Sequence, residues 1–511
     1  MSNPRTIRAL IAGGDDASPA LLAPARAPLS FAALSRLADD TVAALNRLGI
    51  GRDDRVAIVL PNGPEMAAAF IAIGAGATTA PLNPAYRAEE FRFYLTDLSA
   101  RALVVERGSQ SPAIAVAGEL GVPVVELETQ EDTPAGAFTL SGAGGGPAAR
   151  PGPAGPRDVA LVLHTSGTTS RPKIVPLSQA NVTASAGNIA ATLDLGPRDR
   201  CLNVMPLFHI HGLMAAVLAS LGAGASVFCA PGFNALKFFA WLEEAAPSWY
   251  TAVPTMHQAI LGRAERNPEA VKAARLRFIR SSSSSLPPRV MAALEATFGA
   301  PVIESYGMTE AAHQMASNPL PPAARKPGSV GLAAGPEVRV MDPAGRLLDA
   351  GATGEIVIRG ESVTGGYEAN DQANRESFVD GWFRTGDLGV FDDEGYLSIS
   401  GRIKEIINRG GEKISPREVD EVLLDHPGVA QAVTFALPHD KLGEEVAVAI
   451  VAVEGARLSE AELRDFARAR LADFKVPRKV VFVDEIPKGA TGKLQRIGLH
   501  EKLAEALAAA S

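Results

Sequence analysis

Residues 164–173 concentrate the residue types that can hold a phosphate group. Their sequence, HTSGTTSRPK, supplies serine and threonine hydroxyls, a glycine and a lysine directly after the hydrophobic run 159–163. In such a loop, backbone N–H groups and hydroxyls can surround phosphate oxygens, and the ammonium group adds a positive charge. The loop lacks the two glycines of the lysine-terminated NTPase pattern, so it is not that P-loop. Taken alone, this loop is more typical of a solvated turn. Whether it binds phosphate has to be judged from the other motifs of the chain.

The elements around this loop alternate between helix and strand signals. Residues 54–60 read as a buried strand and residues 64–73 as an apolar helix. Strand signals return at 102–106 and 122–126. Earlier, residues 29–38 have the spacing of an amphipathic helix that Ser30 introduces. This alternation predicts an α/β fold with parallel sheets and crossover helices.

A helix, a Gly-Ala-Gly-Ala turn and a short strand occur twice, around residues 74–80 and again around residues 221–228. Two interpretations stay open. The repetition indicates either two α/β subdomains of related design or coincidence in a chain rich in alanine and glycine.

The later part of the chain changes character twice. After residue 305 the pattern becomes more β-like, with strand signals at 338–341 and 354–358. A compact α+β unit follows from about Gly401, so we predict domains at 1–401 and 402–511. The predicted elements of this unit are strands at 429–435 and 446–451 and helices at 416–426 and 459–471.

Composition excludes several classes of protein. With 511 residues, the chain is long enough for two or three domains, and 47% hydrophobic residues are typical of globular proteins. A formal net charge of −8 argues against a general nucleic-acid or anionic-membrane surface. Cys201 and Cys229 are the only cysteines, which excludes a disulfide framework and favours a reducing compartment. Without a signal-peptide pattern, the expected location is cytoplasmic.

Residues 201–236 contain no Asp, Glu, Lys or Arg, and their apolar part is long enough to span a bilayer. However, Gly222, Gly224 and Pro231 interrupt it, and a β-rich run follows the two glycines. We therefore predict a buried helix, a glycine turn and a buried strand.

Further motifs join the opening loop and point to a family. They are 305–310 (SYGMTE), 381–388 (GWFRTGDL), 401–407 (GRIKEII) and 487–494 (PKGATGKL). In order and spacing, these stretches and residues 165–173 resemble the adenylate-forming superfamily of acyl-CoA synthetases, firefly luciferases and adenylation domains. The resemblance covers nearly the whole chain. The loop departs from the family pattern at Ser170, where glycine is usual, and at Ile174, where glycine is common.

The resemblance implies a large N-terminal domain, a small mobile C-terminal domain and a reaction in two steps. A carboxylate first attacks the α-phosphorus of ATP to give an acyl-AMP, and a thiol then displaces AMP. Neutralising the charge of two anions is the main difficulty of the first step. The residues implied to hold the β- and γ-phosphates are Thr165, Ser166, Gly167, Thr168, Thr169 and Lys173.

The remaining ATP contacts are implied by the other motifs. Tyr306 would stack on adenine, Gly307 would belong to the same site, and Thr309 would contact the α-phosphate. Asp387 would accept hydrogen bonds from both ribose hydroxyls, and Arg402 would support the ribose and phosphate side.

Glu310 would hold Mg²⁺, a hard cation that suits a carboxylate combined with phosphate oxygens. Lys493 would carry the first step by bridging the carboxylate and the α-phosphate, and Lys404 matches the family's hinge position. Gly410 and Gly411 either line the path of the CoA pantetheine arm or form a simple turn. The predicted catalytic residues are thus Lys493, Thr309, Glu310 and His209.

The acid is indicated by residues 206–212, 280–285 and 309–315, which the resemblance places around the acyl site. A pocket for a fatty or aromatic acid should be largely apolar, whereas these stretches are rich in histidine and serine. Such donors suit a second carboxylate on a very short acid. The candidate acid-binding residues are His209, His211, Ser282, Ser283, Ser284 and His313.

These stretches, with residues 316–320, resemble the oxalate–CoA ligase branch of the superfamily. Ser283 and His313 would hold the distal carboxylate, and His209 would lie near the reacting one. Malonate and a 4-coumarate-like aryl acid stay open as alternatives, as does transfer of the adenylate to a carrier protein or to oxygen. A non-catalytic protein that binds a nucleotide or an acyl-adenylate is the alternative from another class. ATP, CoA and Mg²⁺ are the expected small molecules, and no obligate protein partner is evident.

Overall fold

The computed structural model describes residues 4–130, 132–143, 145–165, 172–488, 494 and 496–509. Within these ranges the chain forms four sheets with helices packed on them. The strands are β1 (Pro19–Leu22), β2 (Leu29–Ser30), β3 (Arg55–Val59), β4 (Thr78–Pro81), β5 (Ala102–Glu106), β6 (Val124–Glu128), β7 (Thr139–Gly142), β8 (Val159–Thr165), β9 (Lys173–Ser178), β10 (Arg200–Asn203), β11 (Ser226–Cys229), β12 (Trp249–Ala252), β13 (Phe278–Ser282), β14 (Val302–Met308), β15 (His313–Ser317), β16 (Leu332–Ala333), β17 (Glu337–Met341), β18 (Gly354–Arg359), β19 (Phe378–Val379), β20 (Trp382–Phe391), β21 (Leu397–Arg402), β22 (Ile407–Arg409), β23 (Glu412–Ile414), β24 (Val429–His439), β25 (Gly443–Ala452) and β26 (Lys479–Phe482).

The helices follow the predicted alternation. They are α1 (Ile7–Ile11), α2 (Phe31–Arg47), α3 (Pro64–Gly74), α4 (Ala88–Asp97), α5 (Pro112–Leu120), α6 (Gln179–Thr192), α7 (Ala219–Gly222), α8 (Phe238–Ala245), α9 (Pro254–Ala264), α10 (Pro268–Ala273), α11 (Pro288–Phe298), α12 (Asp371–Ser377), α13 (Pro416–Leu424), α14 (Glu460–Arg468), α15 (Leu499–Lys502) and α16 (Ala504–Ala509). A π-helix spans His211–Leu218, and 3₁₀ helices span Thr309–Ala311, Ile403–Glu405 and Asp473–Lys475. Ser30 caps α2 through its side chain, as the sequence predicts, but α2 extends well beyond the predicted end.

A seven-stranded sheet contains the opening loop's strand. Its order is β7-β6-β5-β3-β4-β8-β9, with parallel pairing from β6 to β8 and antiparallel strands at both edges. The central strands are continuous hydrophobic runs because both faces of this sheet are covered. The apolar helix α3 is buried at every residue except Glu65, which explains why its sequence lacks a polar face.

A nine-stranded sheet carries most of the candidate acid site. Its order is β16-β15-β14-β13-β12-β10-β11-β1-β2, and it is parallel from β14 to β1. The two Gly-Ala-Gly-Ala units lie in different sheets. The first leads from α3 into β4, and the second leads from α7 into β11. The carboxyl ends of parallel strands are where ligands bind in open α/β sheets, and β13 and β14 end in the predicted site motifs.

Two smaller sheets follow. Strands β17 to β21 form the predicted β-rich zone, and β22 to β26 form a separate sheet with α13 and α14. Strand β21 ends at Arg402, and the domain boundary at residues 401 and 402 stays a prediction.

The two units contact each other where α9 and α11 approach residues 426–430, which follow α13. Arg289, in the first turn of α11, donates hydrogen bonds to the backbone carbonyls of His426 and Val429, directly after α13. Gln258 donates to the carbonyl of Ala430 over 3.3 Å. Burial at this contact lowers the pKa of the Arg289 guanidinium.

Most of residues 201–230 in the uncharged segment 201–236 are buried in the nine-stranded sheet and its covering helices, whereas Leu236 is 69% exposed. The segment forms β10, the π-helix with α7, a turn and β11, as predicted apart from the π-helical geometry. Among the residues that the structure describes, no helix is long and apolar enough to cross a membrane.

Candidate active site

Strands β8 and β9 pair as an antiparallel hairpin that holds both ends of the opening loop. Thr165 lies opposite Lys173, the first residue of β9. Residues 166–171 lie outside the described residues, so the predictions for Ser166, Gly167, Thr168 and Thr169 rest on the sequence alone. The same holds for Lys493, which lies between the paired residues Lys488 and Leu494.

Lys173 belongs to a charged cluster that the sequence did not reveal as a unit. Its ammonium group lies 4.3 Å from the ring centroid of Tyr367, and the Tyr367 hydroxyl donates a 2.7 Å hydrogen bond to Glu310 Oε1. Burial is the main cause of a lowered pKa at Lys173, and the positive charge of nearby Lys404 lowers this pKa further. The structure therefore brings together the predicted phosphate lysine, hinge lysine and metal carboxylate. Tyr367, which contacts both Lys173 and Glu310, was missed because no motif marked it.

Glu310 lies in the 3₁₀ turn that follows β14 and is only 5% exposed. Burial raises the pKa of its carboxyl group, and the hydrogen bond from Tyr367 opposes this change. A buried carboxylate that lacks a bound cation is costly, so the group fits a metal ion. The described residues contain no cluster of three or more metal-ligating side chains.

Asp387, in β20, is the centre of the predicted ribose site. Its Oδ2 accepts a hydrogen bond from the Tyr306 hydroxyl, and its Oδ1 accepts one from Arg402 Nε over 2.7 Å. The carboxylate raises the pKa of the Arg402 guanidinium, which therefore stays charged. Each carboxylate oxygen keeps a second lone pair, so ribose hydroxyls can still bind it.

Gly307 is required by the path of the neighbouring strand. A Cβ atom at this position would lie 1.7 Å from the carbonyl oxygen of His313, where β14 and β15 slip by one residue. His313 itself has a φ of 104°, a left-handed conformation that is rare for residues other than glycine. The missing side chain of Gly307 thus makes room for the backbone that presents His313.

Three of the predicted acid-binding residues, His211, Ser283 and His313, meet in one group, called here the acid cluster. The rings of His211 and His313 stack with their centroids 5.0 Å apart. Ser283 Oγ lies 3.1 Å from His211 Nδ1, and Thr251 Oγ1 lies 2.6 Å from His211 Nε2. Ser283 also has a positive φ, 74°. Backbone strain of this kind occurs at functional sites more often than elsewhere.

The serine run does not act as a single surface. Ser282 is fully buried, and its hydroxyl donates to the backbone carbonyl of Ser305. Ser284 is exposed. Only Ser283, between them, contacts the histidine cluster. His209 is half-buried, and its Nδ1 accepts a hydrogen bond from the backbone N–H of His211.

The main residue that sequence reasoning missed here is Arg280, in β13. It is fully buried, with no carboxylate partner among the described residues. Its Nη1 lies 3.3 Å from His211 Nε2, and its Nη2 lies 3.2 Å from both His313 Nε2 and Gln314 Oε1. Desolvation lowers its pKa to about 9. An arginine directly after Phe278 and Ile279 in a buried strand was the available signal.

Gly410 and Gly411 form the turn between β22 and β23, with φ values of 59° and 98°. Two positive φ angles in a row define the tight hairpin turn that favours such glycine pairs. The turn interpretation is therefore confirmed as local structure, and contact with CoA stays a prediction.

Comparison with known proteins identifies the family. The model of AMP-binding enzymes matches residues 12–368, and the model of their C-terminal domain matches residues 418–493. The chain belongs to the AMP-binding enzyme family. An oxalate–CoA ligase from Arabidopsis thaliana is 47% identical over 474 residues, covering 91% of this chain and 90% of that protein. An oxalate–CoA ligase from Saccharomyces cerevisiae is 44% identical over 479 residues, covering 89% of this chain and 88% of that protein.

Among solved structures, ATP-bound MatB from Rhodopseudomonas palustris matches with a TM-score of 0.87 and 30% identity, over 98% of this chain and 99% of that chain. The resemblance to the adenylate-forming superfamily and the α/β fold class are therefore confirmed. Within this AMP-binding enzyme, Ser283 directly follows β13, and Tyr306 and Gly307 lie near the end of β14.

Proposed function

We propose that this protein joins oxalate to CoA, using ATP and giving oxalyl-CoA, AMP and diphosphate through an oxalyl-adenylate. Its family and its CoA-ligase relatives make it an AMP-forming acid–thiol ligase with ATP and CoA as co-substrates. The choice of oxalate is the finer part of the proposal. It is supported by the relatives named oxalate–CoA ligases and by the chemistry of the acid cluster.

The single observation that carries the choice of acid is the buried charge of Arg280. A buried charge without a counter-ion costs several kcal/mol. The described residues around the guanidinium offer neutral partners, namely two histidines, a glutamine and a threonine. A negatively charged group of the substrate would balance this charge. A fatty or aromatic monocarboxylic acid has no second charge to offer, whereas a short dicarboxylate does.

In the first step, one carboxylate oxygen of oxalate forms a bond to the α-phosphorus of ATP. The bond from that phosphorus to the bridging oxygen breaks, and diphosphate leaves. Lys173 and the 165–173 loop would hold the leaving group, and Asp387 would hold the ribose. Lys493 would lie between the two reacting anions. When bound, Mg²⁺ would lower the repulsion between phosphate and carboxylate charges, with Glu310 as its protein ligand.

In the second step, the CoA sulfur bonds to the adenylated carbonyl carbon and AMP leaves with the bond electrons. The thiol loses its proton in this exchange. Rotation near Lys404 would withdraw Lys493 between the two steps, because the same residue cannot bridge the reactants while CoA occupies its path.

The proposal is tested with a panel of acids. AMP release is measured with CoA, ATP and Mg²⁺, using oxalate, malonate, acetate and 4-coumarate as separate substrates. We expect kcat/KM to be highest for oxalate, by at least about 100-fold over acetate, since losing a buried ionic partner costs about 3 kcal/mol or more. A higher value for malonate or 4-coumarate would refute the choice of oxalate and leave the ligase class intact.

The non-catalytic alternative is tested through Lys493. In Lys493→Ala, formation of oxalyl-CoA from oxalate and ATP should fall by at least about 100-fold, while added oxalyl-AMP is still converted with CoA. The matched control is Lys488→Ala, an exposed lysine of the same motif whose ion pair is with Glu485. Absence of AMP release from the wild-type protein with every acid would support a binding protein instead. Loss of both half-reactions in Lys493→Ala would contradict the role assigned to this lysine.

A further inference from the structure

Arg280 places an unusual constraint on the two histidines of the acid cluster. A guanidinium group has N–H donors and no acceptor. Both histidines approach it through the same ring atom, since Nη1 lies 3.3 Å from His211 Nε2 and Nη2 lies 3.2 Å from His313 Nε2. For these contacts to be hydrogen bonds, both Nε2 atoms must accept.

A neutral imidazole has one N–H group, so an accepting Nε2 leaves the proton on Nδ1. The hydroxyl of Thr251 is compatible with this tautomer at His211, because at 2.6 Å it can donate to the same Nε2. The positive charge of Arg280 also opposes protonation of either ring, since both imidazoles are buried directly beside it.

The tautomer of His211 in turn sets the direction of the neighbouring hydroxyl. With its proton on Nδ1, His211 donates to Ser283 Oγ across the 3.1 Å contact. The hydroxyl hydrogen of Ser283 is then directed to another acceptor. A substrate carboxylate beside this serine would meet an O–H donor, with the charge of Arg280 one ring behind it.

We propose that Arg280 is a positioning residue that holds His211 and His313 as neutral imidazoles protonated on Nδ1, and that this arrangement orients the Ser283 hydroxyl toward the second carboxylate of the acid. The identity of that acid rests on the function proposed above. The tautomers themselves do not, because they follow from contacts within the protein.

The direct test is ¹⁵N NMR of the full-length protein labelled at histidine, without substrate. The chain has 8 histidines, and the signals of interest are assigned by their loss in His211→Gln and His313→Gln. Long-range ¹H–¹⁵N correlations distinguish protonated Nδ1 from protonated Nε2. We expect both histidines to be protonated on Nδ1. Protonation of either on Nε2, or on both nitrogens at neutral pH, overturns the proposal. The tautomers are read from the wild-type spectrum, and the two variants serve only to assign its signals.

The kinetic test compares Arg280→Lys with Arg280→Met. A lysine retains the charge but lacks the planar fork that reaches two rings, and a methionine removes both. We expect KM for oxalate to rise at least about tenfold in both variants, and more in Arg280→Met, with KM for ATP within about twofold of wild type. The control is Arg277→Lys, just before β13, whose partner is Asp199.

A rise in the KM values for ATP and oxalate together would indicate general disruption and overturn the positioning role. An unchanged KM for oxalate in Arg280→Met would also overturn the positioning role. If another acid proves to be the substrate, the proposed function fails, whereas the tautomer measurement still supports or overturns the role of Arg280.

Discussion

Replacing Glu304 by glutamine should make the stability of the protein less dependent on pH. Glu304 lies in β14 at 2% exposure. Its Oε1 accepts a 2.9 Å hydrogen bond from the backbone N–H of Leu286, and its Oε2 has no hydrogen-bond partner among the described residues. Glutamine keeps the acceptor for Leu286 and removes the ionisable group.

The magnitude follows from the pKa of the Glu304 carboxyl, which burial raises from an ordinary value of 4.5 to about 7. A carboxyl whose pKa is higher in the folded state keeps its proton there while the unfolded chain loses it. The wild-type free energy of unfolding therefore falls as pH rises from 4.5 to about 7 and levels off above that. At about 1.4 kcal/mol per pH unit, this shift amounts to roughly 3 kcal/mol, which Glu304→Gln should remove.

The assay is unfolding of wild type and variant by heat and by urea at pH 5 and pH 8. The stability of Glu304→Gln relative to wild type should be higher at pH 8 than at pH 5 by about 2 to 3 kcal/mol, which is a shift of several degrees in Tm. The control is Glu454→Gln, at an exposed turn. Its effect on the free energy of unfolding should be the same at pH 5 and pH 8. An equal effect of Glu304→Gln at pH 5 and pH 8 would show that the carboxyl titrates normally and would refute the reasoning.

Other predictions concern the nucleotide site and the contact between the two units. Tyr367→Phe keeps the ring beneath Lys173 but removes the hydrogen bond to Glu310, so kcat/KM for ATP should fall at least about tenfold, with a higher Mg²⁺ requirement. Asp387→Asn removes the charge that Arg402 faces, so KM for ATP should rise by about 10- to 100-fold while KM for oxalate stays within about twofold. Arg289→Gln loses donors to the carbonyls after α13, so amides near residues 424–431 should exchange with deuterium at least about fivefold faster.

Each of these variants has a matched control. Tyr396→Phe removes a hydroxyl that bonds a backbone carbonyl outside the site, and Asp393→Asn and Arg266→Gln change exposed charges. Wild-type kinetics in Tyr367→Phe would contradict the link to Glu310. A rise in KM for both ATP and oxalate in Asp387→Asn would argue against a ribose-specific role. Unchanged deuterium exchange of amides 424–431 in Arg289→Gln would mean that the hydrogen bonds from Arg289 do not stabilise α13.

The order of helices and strands could be predicted from the sequence because the buried strands and apolar helices are continuous hydrophobic runs. The motifs likewise indicated where the predicted nucleotide residues lie along the strands, since Glu310 follows β14, Asp387 lies within β20 and Arg402 ends β21. The π-helical geometry of His211–Leu218 could not be predicted, because an apolar run has the same composition in an α-helix and a π-helix.

The side-chain networks were harder to predict than the elements. The sequence predicted that Ser282, Ser283 and Ser284 contact the acid, with Ser283 at the distal carboxylate. It did not indicate that Ser282 would bond a backbone carbonyl while Ser284 is exposed. That division depends on the turn after β13, where Ser283 takes a positive φ. Arg280 and Tyr367 were missed because their partners are distant in the chain, and only the pairing of β13, β14 and β15 brings Arg280 to His313.

The left-handed backbone at Ser283 and His313 has a consequence for engineering this protein. Each such residue costs about 1 kcal/mol or more relative to glycine, which adopts the conformation freely. A selection for heat resistance alone would therefore favour glycine at both positions and would discard the hydroxyl and the imidazole of the acid cluster. Any stabilising library should keep these two positions fixed, because their extra conformational energy is inseparable from the chemistry they present.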